Sequence, residues 1–148
     1  TRSVALPATS PRDLISASGP PSPSLRMPPR RGCGFATRAV SRPATTGARE
    51  LVVIEVNLAQ GHGHNFHKHP DQEEVIYVIA GQVEQWLEQE KRLLGPGDSI
   101  FIPKGVVHAP FNTSAQPAKL LAILAPCVTD AGYVSVEVGD QEPWVTLR

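Results

Sequence analysis

Four histidines and two glutamates lie within thirteen positions of the stretch GHGHNFHKHPDQEEVIYVIAG, which runs from Gly61 to Gly81. His67 and His69 are two residues apart, so on an extended strand both imidazoles point to the same face. Glu74 follows the turn PDQE and begins the next apolar run, and the turn would fold that run back beside the two histidines. Two imidazoles and a carboxylate that converge in this way suit a divalent transition metal.

A third imidazole, that of His108, ends the later stretch PKGVVH. Pro103 and Gly105 form a Pro-x-Gly pair that favours a turn, which could return the chain to the same end of the fold. The carboxylate has an alternative: if the turn before it is one residue shorter, Glu73 takes the place of Glu74 as the ligand, although the six-residue spacing to Gly81 favours Glu74.

The spacing of these residues resembles that of the cupins, which are small β-barrels of the jelly-roll type. All ten positions that the two cupin motifs specify are filled: Gly61, His67, His69, Glu74 and Gly81 in the first, Gly97, Pro103, Gly105, His108 and Asn112 in the second. The resemblance implies that His67, His69, Glu74 and His108 are metal ligands. It implies a structural role for Asn112 and the glycines.

The elements that must position these residues begin near Glu50, where short runs rich in Val, Ile and Leu replace a Pro-rich sequence. Gly, Pro, Asn or Asp interrupt the runs every eight to twelve residues, which is typical of an antiparallel sandwich or barrel. We therefore expect an all-β fold over residues 49–148, and the resemblance implies that it is a single cupin-type jelly-roll β-barrel. The stretch LEQEKR is interpreted as a hairpin connection rather than a helical turn.

Strand alternation extends the prediction to the interior of the barrel. If Glu74 faces inward, Ile76 and Val78 do too, while Tyr77 and Ile79 face outward. The outward apolar residues need a cover, so a homodimer is expected. The residues predicted to line a pocket around the metal are Ile76, Val78, Ile100, Ile102, His62 and His64.

Residues 1–48 contain eight prolines, seven serines, seven arginines and one acid, with no sustained apolar period. This composition predicts a disordered tail, with a short helical turn around Asp13–Ala17. The tail is a linker, translated upstream sequence or an organellar transit peptide; the expected location is cytoplasmic, or organellar in the last case. No disulfide is expected between Cys33, in this tail, and Cys127, which is interpreted as a small buried residue.

The composition also excludes some partners. The residues after 48 carry seven basic and thirteen acidic side chains, which gives no basic surface for nucleic acid. No apolar run approaches the roughly 20 residues that a membrane-spanning helix needs, so a membrane is not an expected partner either. The expected partner is a small-molecule substrate or ligand.

The predicted cofactor is one divalent transition metal, Fe, Mn, Ni, Zn or Cu, among which the ligand types do not decide. The resemblance implies an oxygenase similar to the small quercetin-dioxygenase-like cupins. A non-redox isomerase or epimerase would need a separate acid or base, for which His62, His64 and Lys104 are weak candidates, so no catalytic residue is assigned. A binding protein that uses the metal to hold a sugar or anion is the third possibility.

Overall fold

The structure is a computed structural model that describes residues 34–148 and the backbone of Ile15–Ser16. Within this part of the chain, eleven strands and two short helical turns follow one another. The strands are β1 (Ile15–Ser16), β2 (Phe35–Ser41), β3 (Val52–Leu58), β4 (His67–Lys68), β5 (Glu73–Ala80), β6 (Val83–Leu87), β7 (Glu90–Leu94), β8 (Ser99–Ile102), β9 (His108–Phe111), β10 (Ala118–Ala125) and β11 (Val136–Glu137). The turns are α1 (Pro43–Thr46) and a 3-10 turn (Trp144–Thr146).

The strands form two antiparallel sheets, which confirms the all-β jelly-roll prediction. We call the six-stranded sheet, in the order β1-β8-β5-β10-β3-β2, sheet A. Sheet B has five strands in the order β11-β4-β9-β6-β7. In both sheets, strands that are distant in sequence lie side by side. Residues far apart along the chain therefore meet in the space between the two sheets.

The core lies between the sheets, and strands β3, β5, β8 and β10 of sheet A alternate in burial. In β3 and β10, every second residue is buried and the residues between are half-buried. Val, Ile and Leu at the inward positions suit a pleated surface with one face in the core. The buried cluster comprises Val52, Ile54, Val56, Leu58, Ile76, Val78, Val83, Leu87, Leu94, Ile100, Ile102, Ala118, Leu120, Ala122 and Leu124.

The boundary predicted for the N-terminal tail is wrong for residues 34–48. Strand β2 pairs with β3 from Phe35↔Leu58 to Ser41↔Val53, and α1 follows it. This edge strand is held mainly by backbone hydrogen bonds, and its side chains are mostly exposed. It therefore needs no apolar period and leaves no hydrophobic signal in the sequence.

Part of the helical turn predicted around Asp13–Ala17 is also wrong, because Ile15–Ser16 pair with Ile100 and Ser99 as strand β1. The rest of that prediction, like the tail up to residue 33, lies outside the described residues. So does Cys33. Cys127 is half-buried and its Sγ lies 3.2 Å from the carbonyl oxygen of Leu51.

The hairpin predicted at LEQEKR is confirmed. Strands β6 and β7 pair as far as Leu87↔Glu90, and Glu88 in the two-residue connection has a φ of 51°. The Val-rich run from 133 to 140 forms only the two-residue strand β11. None of the helices in the described part of the chain has the length and apolarity needed to cross a membrane.

Candidate metal centre and cavity

Four buried side chains converge between the two sheets, and they are the four that the sequence singled out. His67 lies in β4, His69 follows it directly, Glu74 is in β5 and His108 begins β9. The register pairs His67 with His108 across β4 and β9. One ligand atom from each of His67, His69, Glu74 and His108 lies within 4.8 Å of all the others. This geometry could hold one metal ion.

Each imidazole of the cluster is oriented by a backbone carbonyl. Nδ1 of His67 lies 2.7 Å from the Asn65 oxygen, and Nδ1 of His108 lies 3.1 Å from the Val106 oxygen. Nδ1 of His69 contacts the carbonyl oxygen of Val134 at 2.5 Å. Because a carbonyl only accepts, Nδ1 carries a proton in all three rings, and Nε2 of each ring has a free lone pair when the ring is neutral. This is the tautomer that a metal-ligating histidine needs.

The polar atoms at the centre of the cluster lack hydrogen bonds. Oε2 of Glu74 lies 2.8 Å from Nε2 of His108 and 3.4 Å from Nε2 of His69. Oε2 of Glu74 and Nε2 of His108 are nevertheless buried without an aligned hydrogen bond to any described residue. Buried polar atoms without partners are costly, and a cation between them would satisfy both. The residues therefore fit a metal.

The electrostatics of the cluster agree with this arrangement. Burial opposes ionisation of Glu74, but the imidazoles of His108 and His69 outweigh it and hold the pKa of Glu74 below its ordinary value. Burial, together with His108 and His64, lowers the pKa of His67 to about 2, so this ring is neutral. Burial also acts against protonation of His69, but its contact with Glu74 raises the pKa of His69 overall. The site thus combines an anionic carboxylate with a neutral His67 ring and a His69 ring whose pKa the carboxylate raises.

A cavity of about 170 Å³ adjoins the cluster. Besides the four cluster residues, its lining consists of Phe35, Thr37, Ile54, Val56, His64, Ile76, Pro110, Leu120, Ala122, Leu124, Tyr133 and Ser135. The walls are mainly aliphatic, with one edge of hydroxyl and imidazole groups. A pocket of this kind suits a small, largely apolar molecule with a few oxygen atoms.

Among the six residues predicted to line the pocket, Ile76 and His64 do so. Val78, Ile100 and Ile102 face inward as predicted but pack in the core cluster and do not line the cavity, so this prediction is wrong for them. Strand parity gives the face of a residue, but the opposite sheet decides whether that face meets a cavity or other side chains. His62 is exposed, with Nδ1 2.8 Å from the Gln60 oxygen, and does not line the cavity either.

The alternative ligand Glu73 is excluded by its position. Glu73 is exposed on the outer face of β5, whereas Glu74 is 4% exposed and faces inward. Tyr77 and Ile79 are exposed as parity predicted. Lys104, one of the weak acid or base candidates, is an exposed turn residue and not part of the cavity lining.

Several residues around the metal centre and the cavity were not identified from the sequence. Gln72 is 1% exposed and bonds with Pro126, Gly132 and Val134, which lie more than fifty residues later. Glu137 contacts Nε2 of His64 at 3.2 Å. The position of Gln72 within the histidine-rich stretch was the one clue, since a polar residue that close to buried ligands needs hydrogen-bond partners.

Comparison with known proteins identifies related chains. The family described as "Cupin domain" matches residues 54–124. The chain is 34% identical to "Protein SchB" of Streptomyces halstedii over 117 residues, which are 78% of this chain and 85% of SchB. It is 26% identical to "Tetracenomycin polyketide synthase protein TcmJ" of Streptomyces glaucescens over 106 residues, 70% of this chain and 71% of TcmJ.

Among solved structures, that of KdgF from Halomonas sp. superposes with a TM-score of 0.60 at 23% identity. The match covers 70% of this chain and 88% of KdgF. At this identity the likeness concerns the fold alone.

Proposed function

Since the chain belongs to the cupin superfamily, we propose that it is a metal-dependent enzyme whose metal binds an enol- or phenol-type small molecule. The observation that carries the proposal is that one ligand atom from each of His67, His69, Glu74 and His108 lies within 4.8 Å of all the others. At the centre of this group, Oε2 of Glu74 and Nε2 of His108 are buried without a hydrogen-bond partner among the described residues. Such a donor set leaves positions on a divalent ion for an incoming ligand. The ion itself is Fe, Mn, Ni, Zn or Cu.

The reaction we propose is oxygenation, in which both atoms of O2 enter the organic substrate. When bound, the metal would supply Lewis acidity and a path for electrons between substrate and O2. The protein's part is to hold the ligand in an apolar cavity and to exclude water. Ile54, Val56 and Leu120 serve that purpose, because they present only aliphatic surface to it.

A non-redox reaction on the same bound enolate is the second candidate. The observation that favours it is the match with TcmJ, whose name assigns it to a polyketide synthase. Polyketide intermediates are rich in ketone and enol groups, which chelate metals. Isomerisation or ring closure of such a molecule consumes no O2, so a measurement of O2 consumption distinguishes the two candidate reactions.

Elemental analysis tests the metal. We expect about one transition-metal ion per chain in the purified protein, and loss of most of it in His67→Ala and His108→Ala. His62→Ala is the matched control, because this histidine is exposed and outside the cavity. A second matched comparison is Glu74→Gln with Glu73→Gln, because the Glu74 side chain faces inward and the neighbouring Glu73 side chain faces outward. Equal metal content in all variants would overturn the proposal.

Oxygen uptake tests the reaction. The protein is loaded anaerobically with Fe(II), and in parallel with Mn(II), Ni(II), Zn(II) or Cu(II), then mixed with catechol or 3-hydroxychromone in oxygenated buffer. Consumption of O2 with formation of product supports oxygenation. Conversion without O2 consumption supports the non-redox candidate, and tight binding without conversion supports a binding protein.

A second copy of the chain is the partner we propose for the outer face of sheet A. The register aligns Phe101, Val75, Ile123 and Val53 in one row, beside the exposed Tyr77 and Ile79. An apolar sheet face of this extent favours a homodimer. Sedimentation of the wild type and of Tyr77→Glu should give dimer and monomer, respectively; a monomeric wild type contradicts the proposal. The cytoplasmic location remains a prediction.

A further inference from the structure

One wall of the cavity carries a group of polar side chains that the metal centre does not use. Nε2 of His64 lies 3.2 Å from Oε1 of Glu137, and the hydroxyl of Ser135 donates to the same oxygen at 3.0 Å. His64 and Ser135 line the cavity. Glu137 is brought there by strand β11, where it pairs with His67. We call His64, Ser135 and Glu137 the wall triad.

Two neighbouring rings and a backbone hydrogen bond hold His64 in place. It stacks on His67 with a centroid distance of 3.7 Å and an interplanar angle of 25°. Phe35 contacts it at a centroid distance of 5.0 Å. The backbone N–H of His64 donates to the Pro110 oxygen at 3.0 Å, which anchors the residue at the cavity wall. A ring held in this way presents its remaining nitrogen in one direction.

That nitrogen is an acceptor. A carboxylate only accepts hydrogen bonds, so the proton of the neutral His64 ring lies on Nε2, toward Glu137. Nδ1 therefore has a free lone pair, and none of the residues that the structure describes forms a hydrogen bond with it. An acceptor without a protein partner, at a cavity whose walls are mainly aliphatic, is suited to a hydroxyl group of a bound ligand.

A second metal ion is the obvious alternative, because ligand atoms of His64, His67 and Glu137 also lie within 4.8 Å of one another. However, Nδ1 of His67 is already bonded to the Asn65 oxygen at 2.7 Å. Its other nitrogen faces the four-residue cluster, so a second ion would retain only His64 and Glu137 as its own ligands. Two ligands, one of them exposed, make a poor site for a transition metal.

We propose that the wall triad is a hydrogen-bonding subsite, in which His64 accepts from a ligand hydroxyl and Glu137 positions the ring. The proposal rests on the metal-dependent function proposed above. It narrows the ligand class to planar hydroxy-ketones that chelate the metal at one end and carry a second hydroxyl at the other. A hydroxyl placed against the aliphatic walls would lose its water without compensation, whereas at His64 it gains a partner.

Two small chelators test the subsite. Kojic acid and allomaltol bind metals through the same adjacent hydroxyl and ketone oxygens. They differ only across the ring, where kojic acid carries a hydroxymethyl group and allomaltol a methyl group. We expect the zinc-loaded full-length protein to bind kojic acid about fivefold or more tightly than allomaltol, the gain of one net hydrogen bond.

His64→Phe preserves a flat ring between His67 and Phe35 but removes the acceptor. We expect this variant to bind both chelators with equal affinity, while its affinity for allomaltol stays within about twofold of wild type. His62→Phe is the matched control on the same loop, and we expect it to keep the preference for kojic acid.

The tautomer of the His64 ring tests the proposed role of Glu137 in positioning that ring. In the zinc-loaded wild type, two-bond nitrogen–proton NMR correlations of the His64 ring should show the proton on Nε2. In Glu137→Leu we expect a mixture of tautomers and a weaker preference for kojic acid, with zinc content unchanged. A purely structural role for Glu137 would leave the tautomer as it is, and this result would overturn its assignment.

The outcomes separate the two proposals. If the wild-type protein binds no metal, the proposed function itself is overturned. A wild type that binds zinc but neither chelator overturns the ligand class, and equal affinity for the two chelators overturns the subsite alone. Two zinc ions per chain, with the second lost in His64→Phe, would show that the wall triad is a metal site instead.

Discussion

Replacement of Gln72 by alanine should weaken both the fold and the metal centre. The Gln72 side chain is 1% exposed. Its Nε2 donates to the carbonyl oxygens of Pro126 at 2.6 Å and Gly132 at 3.0 Å, and its Oε1 accepts from the backbone N–H of Val134 at 3.1 Å. These bonds tie the loop after β10 to the turn between β4 and β5. The same Val134 residue accepts from Nδ1 of His69.

The magnitude follows from these contacts. Each net hydrogen bond contributes roughly 0.5–1.5 kcal/mol, so loss of the three lowers the free energy of unfolding by about 2–4 kcal/mol. At about 4 °C per kcal/mol for a domain of this size, the melting temperature falls by about 8–16 °C. Because Val134 loses its anchor, the orientation of His69 loosens, and the metal affinity should fall by roughly 10–100-fold.

Two measurements check the prediction. Urea unfolding of the metal-free protein gives the stability change without a contribution from bound metal, and competition with a chromogenic chelator gives the metal affinity. Gln89→Ala, in the exposed β6–β7 turn, is the matched glutamine control and should change neither.

A second control separates stability from positioning. Leu94→Ala removes a buried core side chain outside the cavity lining, so it should destabilise to a similar degree but keep the metal affinity. The reasoning is refuted if Gln72→Ala unfolds within about 0.5 kcal/mol of wild type. It is refuted equally if Leu94→Ala and Gln72→Ala lose metal affinity alike.

Three further predictions concern the fold. Urea unfolding should show that Leu94→Ala costs about 2–5 kcal/mol, whereas Leu93→Ala, at a residue 60% exposed, stays within about 0.5 kcal/mol of wild type. The pKa of Glu55 is lowered from 4.5 to about 2, first by its hydrogen bond with Arg38, so its stabilising effect is complete above pH 4.5 and is lost as the pH falls toward 2. Urea unfolding of Glu55→Gln between those values should therefore show a smaller loss of stability than wild type, and an equal loss would contradict the prediction. Thermal unfolding should show a lower melting temperature for a chain that begins at residue 49 than for one that begins at residue 34, because only the first lacks β2; equal values would contradict it.

The four ligand candidates could be predicted because their positions depend on local geometry. Alternation on a strand predicts a common face for His67 and His69, and the spacing of Glu74 from Gly81 favoured Glu74 over Glu73, which lies on the outer face of β5. His108 required one assumption about a Pro-x-Gly turn. Side chains on a strand alternate between the two faces, and burial of one face makes every second residue apolar. A short stretch of sequence is therefore enough to predict which residues share a face.

The errors share a different cause. Strand β2 is an edge strand held by backbone pairing, so its side chains had no pattern to recognise. Val78, Ile100 and Ile102 face inward as predicted, but their separation from the cavity depends on what the opposite strands place against them. Contacts between the two sheets are not encoded in the periodicity of either, which is why the fold was predicted better than the pocket.

The same distinction applies within the metal centre. His67 and His108 are each oriented by the carbonyl two residues earlier, Asn65 and Val106, so the chain just before each strand supplies their partner. His69 instead depends on Val134, which is 65 residues away and is held by Gln72. Its orientation is therefore the one that a change in the loop after β10 can disturb without touching a ligand. The motif residues could be inherited intact while the behaviour of the site varied through this single long-range contact.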